Sequence, residues 1–345
     1  MTSTALPATV PLRSLAAAAA VVPAFMLAEA LRWTWRPAVD LVGGRPLPLS
    51  ALRALMEAWA RLLPPQRGVI TSPLCMTVAD NDGRTRQLEA EWSRPDRPGQ
   101  GAILYLHGGA FVFGSPRTHR LLTGRLAADT GMPVLAPAYR LAPEHGFPAA
   151  FDDAVATYRY LLESGVPASR IIVAGDSAGG HLATGLVAHA CLVGLPLPAG
   201  VLLLSPWLDL DCTGARQVDQ VHRDPFVSPA AAQRLARLYL GPCDRDDVRL
   251  RPLTGAEGPL PPFLIQTGGR EALGQDARRL AETLTCAGVL CRLQVWPGQI
   301  HVFQLLHRWL PAARAAMRQA ADFAVQCADR QESMDVLPCA SAGSA

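Results

Sequence analysis

Gly175-Asp176-Ser177-Ala178-Gly179-Gly180 fits the pattern G-x-S-x-G and lies between a strand-like apolar run, Arg170 to Ala174, and an apolar helical run. In that context the chain turns sharply from strand to helix, and the small residues Gly175 and Gly179 spare the turn a steric clash. The Ser177 hydroxyl is then lifted off the sheet edge at a helix N-terminus, whose amides favour developing negative charge. That setting suits a nucleophile in acyl transfer; the plainer reading of Ser177 is a helix N-cap. Upstream, His107-Gly108-Gly109-Ala110 follows a second strand-like run, Ala102 to Leu106. Glycines let backbone amides close on an anion, so the N–H groups of Gly108 and Gly109, with that of Ala178, are the candidate oxyanion hole. His107 itself reads as a residue that fixes the loop.

A serine hydroxyl needs a base to take its proton, and the base needs a carboxylate to orient it. With the nucleophile on a strand-to-helix turn, the chain order is serine, acid, histidine. Beyond Ser177 the histidines are His181, His189, His222, His301 and His307. His301 ends the loop Trp296-Pro297-Gly298-Gln299-Ile300-His301 after the last strand-like run and is the candidate base. His181 and His189 fall within or beside the helix after the nucleophile and His307 on the closing helix, where packing or surface roles suffice. The acid belongs in Thr267-Gly268-Gly269-Arg270-Glu271-Ala272-Leu273, after the run Phe263 to Gln266. Glu271 is the nearest carboxylate; Asp276 is the rival and reads better as an acid in the first turn of the next helix.

Groups so far apart in sequence need a scaffold that returns repeatedly to one edge. Short apolar runs at 102–106, 133–136, 170–174, 201–204, 263–266 and 292–295 alternate with helical segments at 117–129, 149–163, 178–193, 230–240 and 276–287. Such alternation predicts a mainly parallel central sheet flanked by helices, with ligands beyond the carboxyl ends of the strands. Ahead of it, strand-like stretches around 69–78 and 84–92 are joined through Asn81-Asp82-Gly83, a hairpin signal, and a loop is expected over 93–99. From Ser50 to Leu63, Leu52, Leu55, Met56, Trp59, Leu62 and Leu63 recur at helical spacing, which predicts a helix with an apolar face on the main domain. Residues 206–262 contain one clear helix and read as an insertion. With the N-terminal segment 1–68 it would form a cap over the catalytic domain 69–330, leaving 331–345 as a flexible tail.

Half of the 345 residues are apolar and 18% are charged, which excludes a disordered or fibrous chain. The basic residues are all arginine, scattered, with a net charge of +3, so a nucleic-acid footprint is unsupported. The eight cysteines form no C-x-x-C pair and no zinc spacing; no metal is expected, and most cysteines read as buried small hydrophobes. The Ala-rich run within 14–30 ends in Ala28-Glu29-Ala30 and has two readings. One is a cap helix in a cytoplasmic protein, the other an export or anchoring segment with peripheral lipid contact.

With these residues placed, the chain resembles the bacterial hormone-sensitive-lipase-like esterases of the α/β-hydrolase fold. His107 to Ala110 looks like the family's HGGG, Gly175 to Gly180 like its GDSAGG, and Tyr139-Arg140-Leu141-Ala142-Pro143-Glu144-His145 like its YRLAPEH segment. The resemblance implies cofactor-free hydrolysis of small esters with short or medium acyl chains, beneath a cap. Two departures stand out: Ala110 replaces a glycine, and the stretch Gly269 to Leu273 lacks the aspartate of the D-P-L-type motif that many relatives carry at the acid position, Glu271 resembling members with the carboxylate one place later. A lactone hydrolase with the same triad and a catalytically silent binding member of the fold are the other readings.

Overall fold

The computed structural model describes residues 26, 30, 36, 49–79, 85–251, 253 and 259–330. Eight strands form one sheet in the order β1-β2-β4-β3-β5-β6-β7-β8. They are β1 (Val69–Ala79), β2 (Thr85–Pro95), β3 (Ala102–Leu106), β4 (Val134–Pro137), β5 (Ile171–Asp176), β6 (Gly200–Leu204), β7 (Phe263–Gly268) and β8 (Cys291–Trp296). Pairing is parallel from β4 through β8, while β1 with β2 and β2 with β4 are antiparallel. Every residue of β3 to β7 is buried, as continuous apolar strands covered on both faces require. Alternate residues serve different cores. Leu104, Val173, Leu203 and Ile265 face one helical layer; Ile103, Ile172, Leu202 and Leu264 face the other.

Among the described residues of 49–330 the α-helices are α1 (Leu49–Leu62), α2 (Arg120–Thr130), α3 (Ala149–Glu163), α4 (Ala178–Val193), α5 (Thr213–Val221), α6 (Pro229–Leu240), α7 (Gly274–Cys286) and α8 (Pro311–Arg330). Leu122 and Leu126 of α2 and Met317 and Ala320 of α8 close one face of the sheet; Phe151 of α3, Leu182 of α4 and Leu280 of α7 close the other. The β1–β2 ladder runs unbroken from Val69↔Pro95 to Ala79↔Thr85; its Asn81-Asp82-Gly83 connection lies outside the described residues, as do most of 1–48 and all of 331–345. Among the described residues no helix is long and apolar enough to cross a membrane.

Four expectations change. Strand β2 continues through Ser93 to Pro95, because these residues pair with β1, and Ser93 also with Val134 of β4; pairing overrides a loop-like composition. The insertion holds two helices where one was legible. The nine-residue α5 is started by Asp209, whose Oδ2 accepts from the N–H groups of Thr213 (2.7 Å) and Gly214, a cap four residues ahead of the helix. The apolar stripe of α1 does not lie on the domain: Leu55, Trp59 and Leu62 are exposed, and polar contacts hold the helix. Arg53 donates to the carbonyls of Val112 and Ala142 and pairs with Glu144, and Glu57 accepts from Ser115 Oγ and pairs with Arg117. Finally, only Cys212 and Cys327 are buried among the seven described cysteines, all of them free thiols.

Candidate active site

Strand β5 ends at Asp176 and α4 begins at Ala178, so Ser177 alone makes the turn, with φ 50° and ψ −119°. A non-glycine residue there stores roughly 1–3 kcal/mol of strain that the surrounding structure must impose. The surroundings are tight enough to do so. A Cβ on Gly175 would collide with the Gly179 carbonyl, and one on Gly179 with the Leu106 carbonyl. Ser177 N–H donates to Leu204 O at 3.0 Å, tying the turn to the end of β6.

Three sequence-selected residues meet at this edge. Ser177 Oγ lies 3.0 Å from His301 Nε2, and His301 Nδ1 lies 2.7 Å from Glu271 Oε2. A carboxylate only accepts, so Nδ1 carries the proton and Nε2 is left as acceptor for the serine hydroxyl. Burial alone would pull the imidazole down. The hydrogen bond and charge of Glu271, joined by the charges of Asp224 and Asp176, outweigh it and hold His301 above the ordinary histidine value. The other Glu271 oxygen is saturated by Ser205 Oγ (2.8 Å), Thr267 Oγ1 (2.6 Å) and the Gly268 N–H. Ser205 also accepts from Val302 N–H, next to His301, at 3.1 Å. Ser205, Thr267 and Asp224 were not singled out from sequence. For Ser205 a signal existed: it follows the last residue of β6, at the same carboxyl edge as Ser177.

Asp276 stands elsewhere. Its Oδ2 accepts from the N–H groups of Leu208 (2.8 Å) and Asp209 (2.9 Å), pinning the start of the insertion to the first turn of α7. Burial pushes its carboxyl up to about 6. His181 is buried within α4, edge-on to Phe111. His307 sits in the turn before α8 rather than on the closing helix, because Pro311 starts α8; its Nε2 donates to Leu121 O at 3.1 Å.

The oxyanion loop requires a correction. Gly108 N–H donates to Asp176 Oδ1 at 3.0 Å, so it is not free for an anion. Tyr105 donates to the same oxygen at 2.8 Å, and His119 Nε2 lies 3.5 Å from the other. Burial raises the Asp176 carboxyl, and His119 and Tyr105 outweigh it, leaving the group below the usual carboxylate range. Beyond Gly108 the backbone holds positive φ at Gly109 (119°), Ala110 (54°) and Phe111 (62°), and the N–H groups of Val112 and Phe113 close on Gly109 O. Among the described residues no loop hydrogen bond engages the N–H of Gly109, Ala110 or Ala178. His107 fixes this loop as expected: Nδ1 donates to Gly108 O at 2.8 Å, its ring stacks on Tyr139, and Tyr139 Oη donates to His107 O. Burial pushes its imidazole down to about 3, which leaves it neutral.

Comparison with known proteins agrees with this architecture. A family model described as alpha/beta hydrolase fold matches residues 103–305. An acetyl-hydrolase of Streptomyces hygroscopicus is 42% identical over 234 residues, covering 68% of this chain and 78% of that protein. A carboxylesterase/phospholipase of Mycobacterium tuberculosis is 33% identical over 308 residues, 86% of this chain and 80% of that one. The crystal structure of an esterase from the bacterial hormone-sensitive lipase family superposes with a TM-score of 0.74 at 35% identity, over 85% of this chain and 98% of that chain. A mainly parallel sheet with a serine turn at its carboxyl edge, and esterase relatives matched over most of their length, place the chain in one group: it belongs to the bacterial hormone-sensitive-lipase-like esterases of the α/β-hydrolase fold and is a carboxylesterase-type hydrolase.

Proposed function

We propose that the chain hydrolyses carboxylic esters with short to medium acyl groups through an acyl-enzyme on Ser177. The observation that carries this reading is the continuous chain Ser177 Oγ, His301, Glu271, with contacts of 3.0 and 2.7 Å and all three residues buried. Ser177 Oγ attacks the ester carbonyl carbon as its proton passes to His301 Nε2. The tetrahedral oxyanion is held by the amides of Gly109, Ala110 and Ala178, which replace the set centred on Gly108. Collapse expels the alcohol, which takes the proton from His301; water then repeats the sequence and releases the acid. Glu271 keeps Nδ1 protonated and stabilises the imidazolium between the two transfers. The short-chain preference is supported by the acetyl-hydrolase similarity and by the Ala110 methyl group beside the oxyanion amides. Arg36 supports a cap built jointly by the N-terminal segment and the insertion, since it bonds Asp219 and the carbonyls of Asp224 and Val227.

Ser177→Ala should abolish turnover of p-nitrophenyl acetate and butyrate, and a fluorophosphonate should label the wild type at Ser177 alone. Turnover by Ser177→Ala at the wild-type rate would remove the nucleophile assignment.

A further inference from the structure

We propose that Asp224, in the insertion, is a positioning residue for the catalytic acid, fixing the backbone of the Glu271 loop through the amide of Ala272. The inference rests on Glu271 being the triad acid. Asp224 is fully buried and its carboxylate meets three amides. Oδ1 accepts from Phe226 N–H (2.7 Å) and Val227 N–H (2.8 Å), which closes a local turn. Oδ2 leaves the segment and accepts from Ala272 N–H at 2.7 Å, directly after Glu271. The turn alone needs only one oxygen, as an asparagine or serine would supply. The second oxygen serves the acid loop.

Glu271 is thereby held on both flanks. Before it, Arg270 N–H donates to Gln299 O at 3.0 Å, in the loop that carries His301. After it stands the Asp224–Ala272 bond. Between them, Glu271 Oε1 is saturated, so the direction of Oε2 toward His301 follows from where the backbone at 271–272 is placed. Asp224 is itself anchored: its N–H donates to Asp219 Oδ1 at 2.7 Å and its carbonyl accepts from Arg36 Nη1 at 2.7 Å. Arg36 in turn grips both Asp219 oxygens. A polar chain thus runs from the N-terminal segment through the insertion to the residue beside the acid. Burial pushes the Asp224 carboxyl up to about 6 against its three amides, so an acid is costly to keep at this place.

Asp224→Asn keeps one oxygen for the turn and sets an NH2 against Ala272 N–H. Rates on p-nitrophenyl butyrate are taken per active site titrated with a phosphonate. The expected result is a kcat about ten- to a hundredfold lower, the range of supporting-residue effects, with KM within about twofold. The decisive comparison is the double variant with Glu271→Gln. A residue that acts through the acid has nothing to add once the acid is gone, so the double variant should be no slower than Glu271→Gln alone. A wild-type kcat in Asp224→Asn, or losses that multiply in the double variant, overturns the proposal. Glu271→Gln turning over at the wild-type rate would overturn the acid assignment instead. Should Asp224→Asn fail to fold, Ala272→Pro deletes the same donor with the carboxylate in place and is judged by the same two criteria.

Discussion

Ser177 and His301 are separated by 124 residues, yet their side chains stand 3.0 Å apart, and what makes the contact chemically useful is the state of the imidazole. Burial disfavours the imidazolium, but Glu271 with the charges of Asp224 and Asp176 outweighs it, so His301 binds its proton more tightly than an exposed histidine. Only the neutral ring is a base. The acid limb of kcat/KM should therefore have its midpoint above the ordinary histidine value of about 6.5. In Glu271→Gln the charge that favours the imidazolium is lost, so the midpoint should move to lower pH while kcat drops by about four orders of magnitude. Asp276→Asn should leave that midpoint and kcat near the wild-type values, because Asp276 serves the Leu208 and Asp209 amides. A pH profile of each variant on one chromogenic ester checks both statements.

At the scale of elements, α1 is attached to the catalytic body by polar contacts rather than by its apolar stripe, whereas the insertion also buries Trp207, Ala236, Tyr239 and Leu240 in the main core. Trp59→Ser removes an exposed ring and should change unfolding free energy by no more than about 0.5 kcal/mol in a urea titration. Arg53→Met has a different target. It strips donors from the carbonyls of Val112 and Ala142, which border the loop of positive φ at 109–111, and should cost about 1–3 kcal/mol. The same variant should raise KM and open 49–68 to limited proteolysis; a helix that stays protected with KM unchanged would show that other contacts hold it. Amphipathic spacing announced α1 because helical periodicity is local. Which way the stripe faces depends on Glu57 and Arg53 finding partners on other segments, and no sequence spacing encodes those.

Across the whole molecule, stability rests on the doubly covered sheet. Leu203→Ala, at a fully buried position of β6, should cost about 2–5 kcal/mol by lost transfer energy and cavity formation, read as a lower urea midpoint. A thiol reductant should leave Tm unchanged, since the described cysteines are free. Strand and helix order, the serine turn, the candidate base and the carboxylate nearest to it were legible because each is set by local pattern: apolar runs of strand length, glycines where a turn admits no Cβ, and chain order on this fold. Other features were decided by tertiary structure alone. Gly108 lost its place among the oxyanion donors because Asp176, 68 residues away, takes its N–H, and Asp224 reached Glu271's neighbour across 48 residues. The sequence by itself determined which elements form and which groups can react; only the folded chain decided which amide stays free and which carboxylate is spent on backbone, since hydrogen-bond partners distant in sequence are chosen by packing.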